Sequence, residues 1–133
     1  MDSARAFALI EASQVAVLTT IRSDGRPRPV PVVFAMLDDR RIISAVDHKP
    51  KSTSRLRRLA DIERDERVGL LWQHYEDDWD RLWWVRMDGV ARVLTDPTPE
   101  MRSRMQLRYH HYEYTPPQGP WIEVTPEKLV GWP

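Results

Sequence analysis

Residues 15–34, VAVLTTIRSDGRPRPVPVVF, carry the pattern that decides the fold. The segment begins with a run rich in β-branched side chains, and the turn signal SDGR at 23–26 ends that run, so it predicts a β-hairpin. Beyond the turn, proline stands at every second position, at Pro27, Pro29 and Pro31. Prolines at this spacing remove the N–H groups from one side of a strand. This half of the hairpin is therefore predicted to lie at a sheet edge and not in mid-sheet.

Short strands dominate the rest of the chain, and the helices are placed apart from them. The patterns predict helices over 2–12 and 53–62 and from a cap at Asp96 or Thr98 to Arg108, with a loop over 109–120. Strands are predicted over 32–37, 41–46, 68–72 and 82–94, the last with a bulge or a close-approach point at Gly89. Further strand material is predicted over 121–124 and 129–132. Because strands and helices do not alternate regularly, a parallel sheet is disfavoured. An antiparallel barrel is favoured, because closing a sheet into a barrel removes its exposed edge strands. The predicted fold is mainly β (α+β), an antiparallel barrel with peripheral helices in one domain over residues 1–133.

Charge and composition exclude several classes of protein. The chain has 133 residues, with 20 basic and 20 acidic side chains and no cysteine. Disulfides, thiolate nucleophiles and cysteine-based metal sites are therefore excluded, and a polycation that binds nucleic acid or a membrane surface is not expected. Neither the four histidines nor the acidic run at 76–78 has metal-ligand spacing, so no metal is predicted. Without a signal-peptide pattern or a long apolar stretch, the expected location is the cytoplasm.

A cluster of cations in mid-chain is the strongest sign of a binding site. No acidic residue interrupts the sequence between Asp47 and Asp61. Ser52 and Thr53 supply hydroxyl groups and free backbone N–H groups where a helix is predicted to begin, which suits a phosphate. The alternative is a solvated basic helix face, but cations near a helix N-terminus oppose the macrodipole, so an anionic ligand is favoured. The cations are Lys49, Lys51, Arg55, Arg57 and Arg58.

The acidic and aromatic segment at 76–84 is the second candidate. Trp83 and Trp84 are adjacent in a predicted strand, so their side chains point to opposite faces and cannot both enter one core. One interpretation is an acidic loop with one core and one surface tryptophan. The other places an indole against a flat ring or across a dimer interface, where its N–H has a polar neighbour.

The order of these elements resembles the split β-barrel flavin and deazaflavin oxidoreductases, a superfamily that contains pyridoxamine 5′-phosphate oxidase. The best match looks like its small branch that uses the deazaflavin coenzyme F-420. The likeness covers residues 5–95 and continues less specifically to the C-terminus. It implies an FMN-binding-type split barrel that forms a homodimer. The segments that carry the likeness are SDGRP at 23–27, PVVF at 31–34, RIIS at 41–44, DHKPK at 47–51, RVGLL at 67–71 and WVRMDG at 84–89.

The resemblance also implies a set of cofactor-binding residues. Cations and hydroxyls of the mid-chain cluster would hold the phosphate, with Arg58 standing where the flavin enzymes usually have lysine. Trp84 replaces the glutamine of the pyridoxamine oxidase branch, which disfavours both FMN and pyridoxamine phosphate. The main chain of one strand would line the cofactor ring, and an indole would wall the pocket. The implied set is Lys49, Lys51, Ser52, Thr53, Arg55, Arg57, Arg58, Val32, Val33, Trp79 and Trp84.

The function that follows is an F-420-dependent oxidoreductase that transfers hydride from the reduced cofactor to an electron-poor small molecule. One alternative is an FMN-binding reductase or oxidase of the same fold, and another is a non-catalytic F-420 carrier. A nucleic-acid-binding barrel is disfavoured by the neutral charge. The expected assembly is a homodimer with the cofactor at its interface. No residue is assigned as catalytic; His74, Tyr75, Tyr109 and water are equal candidates for a proton donor.

Overall fold

The computed structural model describes residues 1–46, 53–117 and 119–133, and the backbone alone for residues 53–56. The described chain contains helices and strands in the mixed order that the sequence predicts, with a short 3-10 turn at Trp79–Arg81. The helices are α1 Ser3–Ala12, α2 Thr53–Arg64, α3 Pro99–Arg108 and α4 His111–Tyr114. The strands are β1 Val15–Ile21, β2 Pro27–Val33, β3 Ala35–Met36, β4 Ile42–Ala45, β5 Arg67–His74, β6 Trp83–Leu94 and β7 Trp121–Trp132.

The described strands form one curled antiparallel sheet. The seven strands lie in the order β2-β1-β5-β6-β7-β4-β3, so β2 and β3 are the two edges. Only Phe34 separates these two strands along the chain, and it therefore joins one edge of the sheet to the other. Near this junction the Ser44 hydroxyl donates to the Val33 carbonyl at 2.7 Å. This is the predicted antiparallel barrel with helices around it.

Tyr109 stabilises the junction between the two sheet edges. Its hydroxyl accepts a hydrogen bond from the Phe34 N–H at 2.9 Å and lies 2.6 Å from the Phe34 carbonyl oxygen and 2.7 Å from that of Gln14. A buried backbone group without a partner costs about 1–3 kcal/mol, and Phe34 is fully buried. The Tyr109 hydroxyl thus has a structural role at the point where ladder pairing stops.

The first hairpin of the barrel has the turn and the edge strand that its sequence predicts. β1 and β2 pair along their whole length, from Val15 with Val33 to Ile21 with Pro27. Gly25 in the turn has a φ of 82°, in the left-handed region that glycine adopts most easily. The prolines of β2 are exposed, and β2 is an edge strand in the hydrogen-bonding order. Because alternate residues direct their N–H groups to the same side, the other residues of β2 can still donate to β1.

Side chains on the inner face of the barrel form the main core. β1, β5 and β6 alternate between buried and more exposed positions, so one face of each strand points inward. Trp72 is fully buried there, with its ring 5.5 Å from that of Phe34 in an edge-to-face arrangement. Leu59 and Ile62 of α2 belong to the same core. A second cluster packs α3 and α4 onto β3, β4 and β7 through Met101, Met105, Tyr112 and Trp121.

The end of the chain differs from the sequence prediction in two ways. The two predicted segments at 121–124 and 129–132 are one strand, β7, whose irregularity lies opposite Asp88 and Gly89. Pro126 pairs with Gly89 at this bulge, so the missing proline N–H falls where the ladder is already interrupted. The irregularity and close approach predicted at Gly89 are confirmed, although the extra residue of the bulge, Glu127, lies in β7. The predicted loop 109–120 contains α4, a single helical turn whose Tyr112 is buried.

Candidate functional site

A groove of about 540 Å³ crosses the outer face of β1, β5 and β6. Its volume is within the usual range for small-molecule sites, roughly 300–1,000 Å³. Most of its lining is apolar or aromatic, with a few polar side chains at the rim, which is typical of a cofactor or ligand pocket. This outer groove is lined by Thr19, Gly69, Leu70, Leu71, Gln73, Trp84 and Arg86.

Gly69 forms the floor of the outer groove. It pairs with Thr19 on one side and Asp88 on the other, in the middle of the sheet. A Cβ atom built on Gly69 would meet nothing closer than the Met87 carbonyl oxygen at 4.0 Å. Packing within the chain therefore does not require glycine here. The missing side chain instead leaves a space that a flat ligand could occupy.

A second depression extends the outer groove along the same strands. It has a volume of about 360 Å³, and Thr19 and Gly69 line both cavities. Arg67 and Glu127 are among the residues at its far end. The two together give an elongated furrow, apolar in the middle and charged at one end, which suits a ring with a polar tail.

Trp84 and Arg86 form one wall of the outer groove. They are two positions apart on β6, so both side chains point outward. The Arg86 guanidinium carbon lies 5.6 Å from the Trp84 ring centroid. In the part of the chain that the structure describes, no carboxylate pairs with Arg86. The guanidinium is therefore available to an anion or a carbonyl oxygen of a ligand.

Trp83 confirms the predicted division of the tryptophan pair between two faces. Its ring stacks on that of His74, with centroids 6.1 Å apart and an interplanar angle of 18°. Trp83 also packs against the inner core, whereas Trp84 lines the outer groove. Arg86 and Gly69 were not among the residues predicted to bind the cofactor. The signal for Arg86 was available, since a cation two residues beyond an outward tryptophan must share its face.

The mid-chain cationic cluster falls largely outside the described residues. Lys49, Lys51 and Ser52 lie in the segment that the structure does not describe, and so do the side chains of Thr53 and Arg55. The helix begins at Thr53, as predicted. Of the two described cations, Arg57 is exposed and Arg58 is 8% exposed, so the two side chains do not face the same way. Their role in binding phosphate remains a prediction.

The other predicted ring-binding residues lie in different environments. Val32 is buried and points into the core, while Val33 is half-buried at the junction between β2 and β3. Trp79 is 70% exposed in the 3-10 turn, which the Asp78 carboxylate caps by accepting the Asp80 N–H. Among the described residues, Trp84 is the one member of the predicted set that lines the outer groove.

The sheet separates α2 from the outer groove. α2 packs on the inner face, because its Leu59 and Ile62 side chains enter the main core. Trp84 and Arg86 project from the opposite face of β6. A single chain therefore does not place the described cations of α2 beside the groove.

The candidate proton donors lie outside the groove. The Tyr109 hydroxyl is bound to main-chain groups at the sheet junction. His74 pairs with Glu76 through its Nε2 atom at 2.5 Å, and the Tyr75 side chain is 70% exposed. Among the described residues, no group of three His, Asp or Glu side chains could hold a metal ion.

The curled antiparallel sheet and its surrounding helices define a class, the split β-barrel proteins. The chain belongs to the pyridoxamine 5′-phosphate oxidase family, which matches residues 3–133. This family includes oxidoreductases. No curated protein matches the sequence significantly. None of the described helices is both long and apolar enough to span a bilayer.

Solved structures show the same fold with different ligands. A conserved hypothetical protein of Mycobacterium tuberculosis is similar with a TM-score of 0.78 and 21% identity, over 99% of this chain and 84% of that one. A FAD-binding protein of Mesorhizobium loti has a TM-score of 0.72 and 17% identity, over 98% and 92% of the two chains. The heme storage protein HutZ of Vibrio cholerae has a TM-score of 0.73 and 14% identity, over 96% and 92%. At these identities the similarity establishes the fold, and the ligand must be argued from the groove itself.

Proposed function

We propose that this protein is an F-420-dependent oxidoreductase whose outer groove holds the cofactor ring. The observation that carries the proposal is the pairing of Trp84 and Arg86 over the glycine floor at Gly69. The groove fits a planar ring, because Gly69 has no Cβ and no other atom of the chain fills the space where a Cβ would stand. When bound, the deazaflavin supplies the carbon-centred hydride donor, and the acceptor is an electron-poor small molecule.

The groove residues have distinct tasks in this proposal. The Trp84 indole packs against the flat ring, and the apolar side chain of Leu71 excludes water from it. Arg86 donates hydrogen bonds to the polar edge of the ring and favours negative charge there. Gln73 supplies an amide at the rim. Residues of the acceptor site come from loops, as in other enzymes with rigid scaffolds.

A second copy of the chain completes the proposed site. The outer face of the sheet carries apolar side chains that the chain leaves uncovered, among them Val15 at 55% and Trp132 at 48% exposure. Half-buried Val17 and Leu71 pair in the middle of this face. A homodimer formed through this face covers these residues. It also provides a second α2, whose cations then approach the groove from the partner. Within one chain the sheet separates α2 from the groove.

Sedimentation tests the dimer. The wild-type chain is expected to sediment as a dimer at micromolar concentration, and Leu71→Arg as a monomer, because a charge in the centre of an apolar interface is costly to desolvate. Leu107→Arg is the matched control, since Leu107 is an 84% exposed leucine on α3, outside the outer face. A wild-type monomer, or equal dissociation of both variants, would contradict the proposed interface.

The choice between cofactors depends on Trp84. The FAD-binding protein of Mesorhizobium loti supports the flavin alternative for this fold. An indole at position 84 cannot offer the carbonyl and amide groups of the glutamine found in the pyridoxamine oxidase branch, so contact with the ring is by packing. This favours F-420 over FMN. A non-catalytic carrier has the same groove but no turnover, and HutZ shows that storage occurs on this fold.

Fluorescence titration of F-420 and FMN side by side tests the function. We expect F-420 to bind at least about tenfold more tightly than FMN. We also expect Arg86→Ala to lower the affinity for F-420 by about tenfold, because a charged hydrogen bond contributes about 1.5 kcal/mol. Arg102→Ala, an exposed arginine of α3, is the control and should bind as wild type does. Tighter FMN binding supports the flavin alternative, and binding without turnover of any acceptor supports the carrier. Failure of both cofactors to bind rejects the proposal.

A further inference from the structure

Asp61 of α2 is a buried carboxylate held by donors from three elements. Its side chain is nearly inaccessible, with the residue 2% exposed. Oδ2 accepts the Thr20 hydroxyl of β1 at 2.8 Å and the Arg28 Nε of β2 at 2.7 Å. Oδ1 accepts the Arg64 Nη2 of α2 itself at 3.1 Å. The same Arg64 nitrogen also donates to the Ile21 carbonyl at 2.7 Å.

These contacts fix how α2 sits on the barrel. Apolar contacts of Leu59 and Ile62 hold the helix against the core, but such contacts tolerate small rotations and slides. Directional bonds to β1 and β2 through one carboxylate do not. Burial acts to raise the pKa of Asp61, but the hydrogen bonds from Arg28, Thr20 and Arg64 outweigh it and hold the pKa below its ordinary value. The carboxylate is therefore charged at neutral pH.

The two described cations of the mid-chain cluster lie one turn before this clamp. Arg58 precedes Asp61 by three residues and Arg57 by four, a distance over which a helix is rigid. A rotation of α2 about its axis would move both of these side chains. An ion cluster of this kind is not required for stability, since apolar replacements of buried ion pairs are often neutral or stabilising. The direction of its hydrogen bonds does, however, determine the orientation of α2 on the barrel.

We propose that Asp61 is a positioning residue for the phosphate of the bound cofactor. It sets the rotation of α2 on the β1–β2 hairpin, and with it the direction of Arg57 and Arg58 relative to the phosphate. The inference rests on the proposed function, and in particular on α2 as the phosphate-binding element. Asp61 itself contacts neither cofactor nor substrate.

The test compares cofactors with and without phosphate. The pairs are F-420 with the same deazaflavin lacking phosphate and tail, and FMN with riboflavin, both titrated by fluorescence. For Asp61→Asn we expect the preference for the phosphate-bearing member to fall about tenfold, with affinity for the phosphate-free member within about twofold of wild type. A merely structural role would weaken both members of a pair equally.

Glu123→Gln is the matched control. Glu123 of β7 is also a buried carboxylate, 3% exposed. It binds Arg41, just before β4, at 2.6 Å and Arg92 of β6 at 2.8 Å, away from α2. It should leave the phosphate preference unchanged. If Asp61→Asn does not fold, Thr20→Val removes one of the bonds to Oδ2 and should lower the preference about threefold.

The possible outcomes separate this inference from the proposed function. A wild-type protein that prefers the phosphate-bearing cofactors, with Asp61→Asn unchanged in that preference, overturns the positioning role alone. A wild-type protein without any preference removes the phosphate site on α2 and this inference together. An equal loss in Asp61→Asn and Glu123→Gln also overturns the positioning role.

Discussion

Gly69→Val is expected to weaken binding of F-420 at least about tenfold without destabilising the protein. The branched side chain would stand on the floor of the outer groove, where no atom of the chain closer than 4.0 Å opposes a Cβ. Valine is favoured over glycine in a strand by up to about 1 kcal/mol, so the free energy of unfolding should stay equal or rise. The loss of affinity is then steric, because the ring and the valine side chain compete for the same space.

Urea denaturation and fluorescence titration on the same samples separate the two effects. Gly69→Ala provides the graded control, since a single methyl group fills less of the groove and should weaken binding less. Undiminished affinity in Gly69→Val would show that the cofactor binds elsewhere. A Gly69→Val variant that loses affinity only together with stability would contradict the assignment of Gly69 to the groove floor.

Gly89→Ala is expected to destabilise the protein by about 3 kcal/mol, the upper part of the range for overpacking. A Cβ on Gly89 would lie 2.5 Å from the Thr125 carbonyl oxygen and 2.9 Å from a methyl carbon of Val124. The carbonyl belongs to the backbone of β7, which pairs with β6 on both sides of the bulge and cannot easily withdraw. The same substitution at Gly69, in the neighbouring strand, meets open space and should cost almost nothing.

The measurement is a pair of urea unfolding curves, for Gly89→Ala and Gly69→Ala, against wild type. The midpoint of Gly89→Ala should fall strongly while its slope is unchanged, which indicates a change in stability alone. Equal midpoints for the two variants would contradict the close approach of β6 and β7 at the bulge.

Local chemistry explains which parts of the fold the sequence predicts well. The turn at Gly25 and the prolines of β2 restrict the backbone directly, so the hairpin and its edge position follow from the residues themselves. The alternation of a strand separates Trp83 from Trp84 without any knowledge of the partners. The irregularity at Gly89 can also be predicted locally, from a glycine inside a strand pattern. Its pairing with Pro126 cannot be predicted in this way.

The groove could not be predicted in the same way, because it depends on register. Gly69, Thr19 and Arg86 come from three strands, and their proximity follows from pairings between distant parts of the chain. A glycine in a strand does not reveal whether a Cβ would meet a neighbour or open space. The structural role of the Tyr109 hydroxyl is hidden for the same reason, since its partner Phe34 is 75 residues away.

The position of β7 has a consequence for synthesis on the ribosome. This last strand lies between β6 and β4, and it alone joins β4 to the strands that precede it in the sheet order. A nascent chain therefore holds two separate partial sheets until β7 has emerged, and both present unpaired edges. Completion of the sheet therefore requires long-range pairing, and we expect it to be slow and to leave the edges of β4 and β6 open to aggregation until β7 is in place.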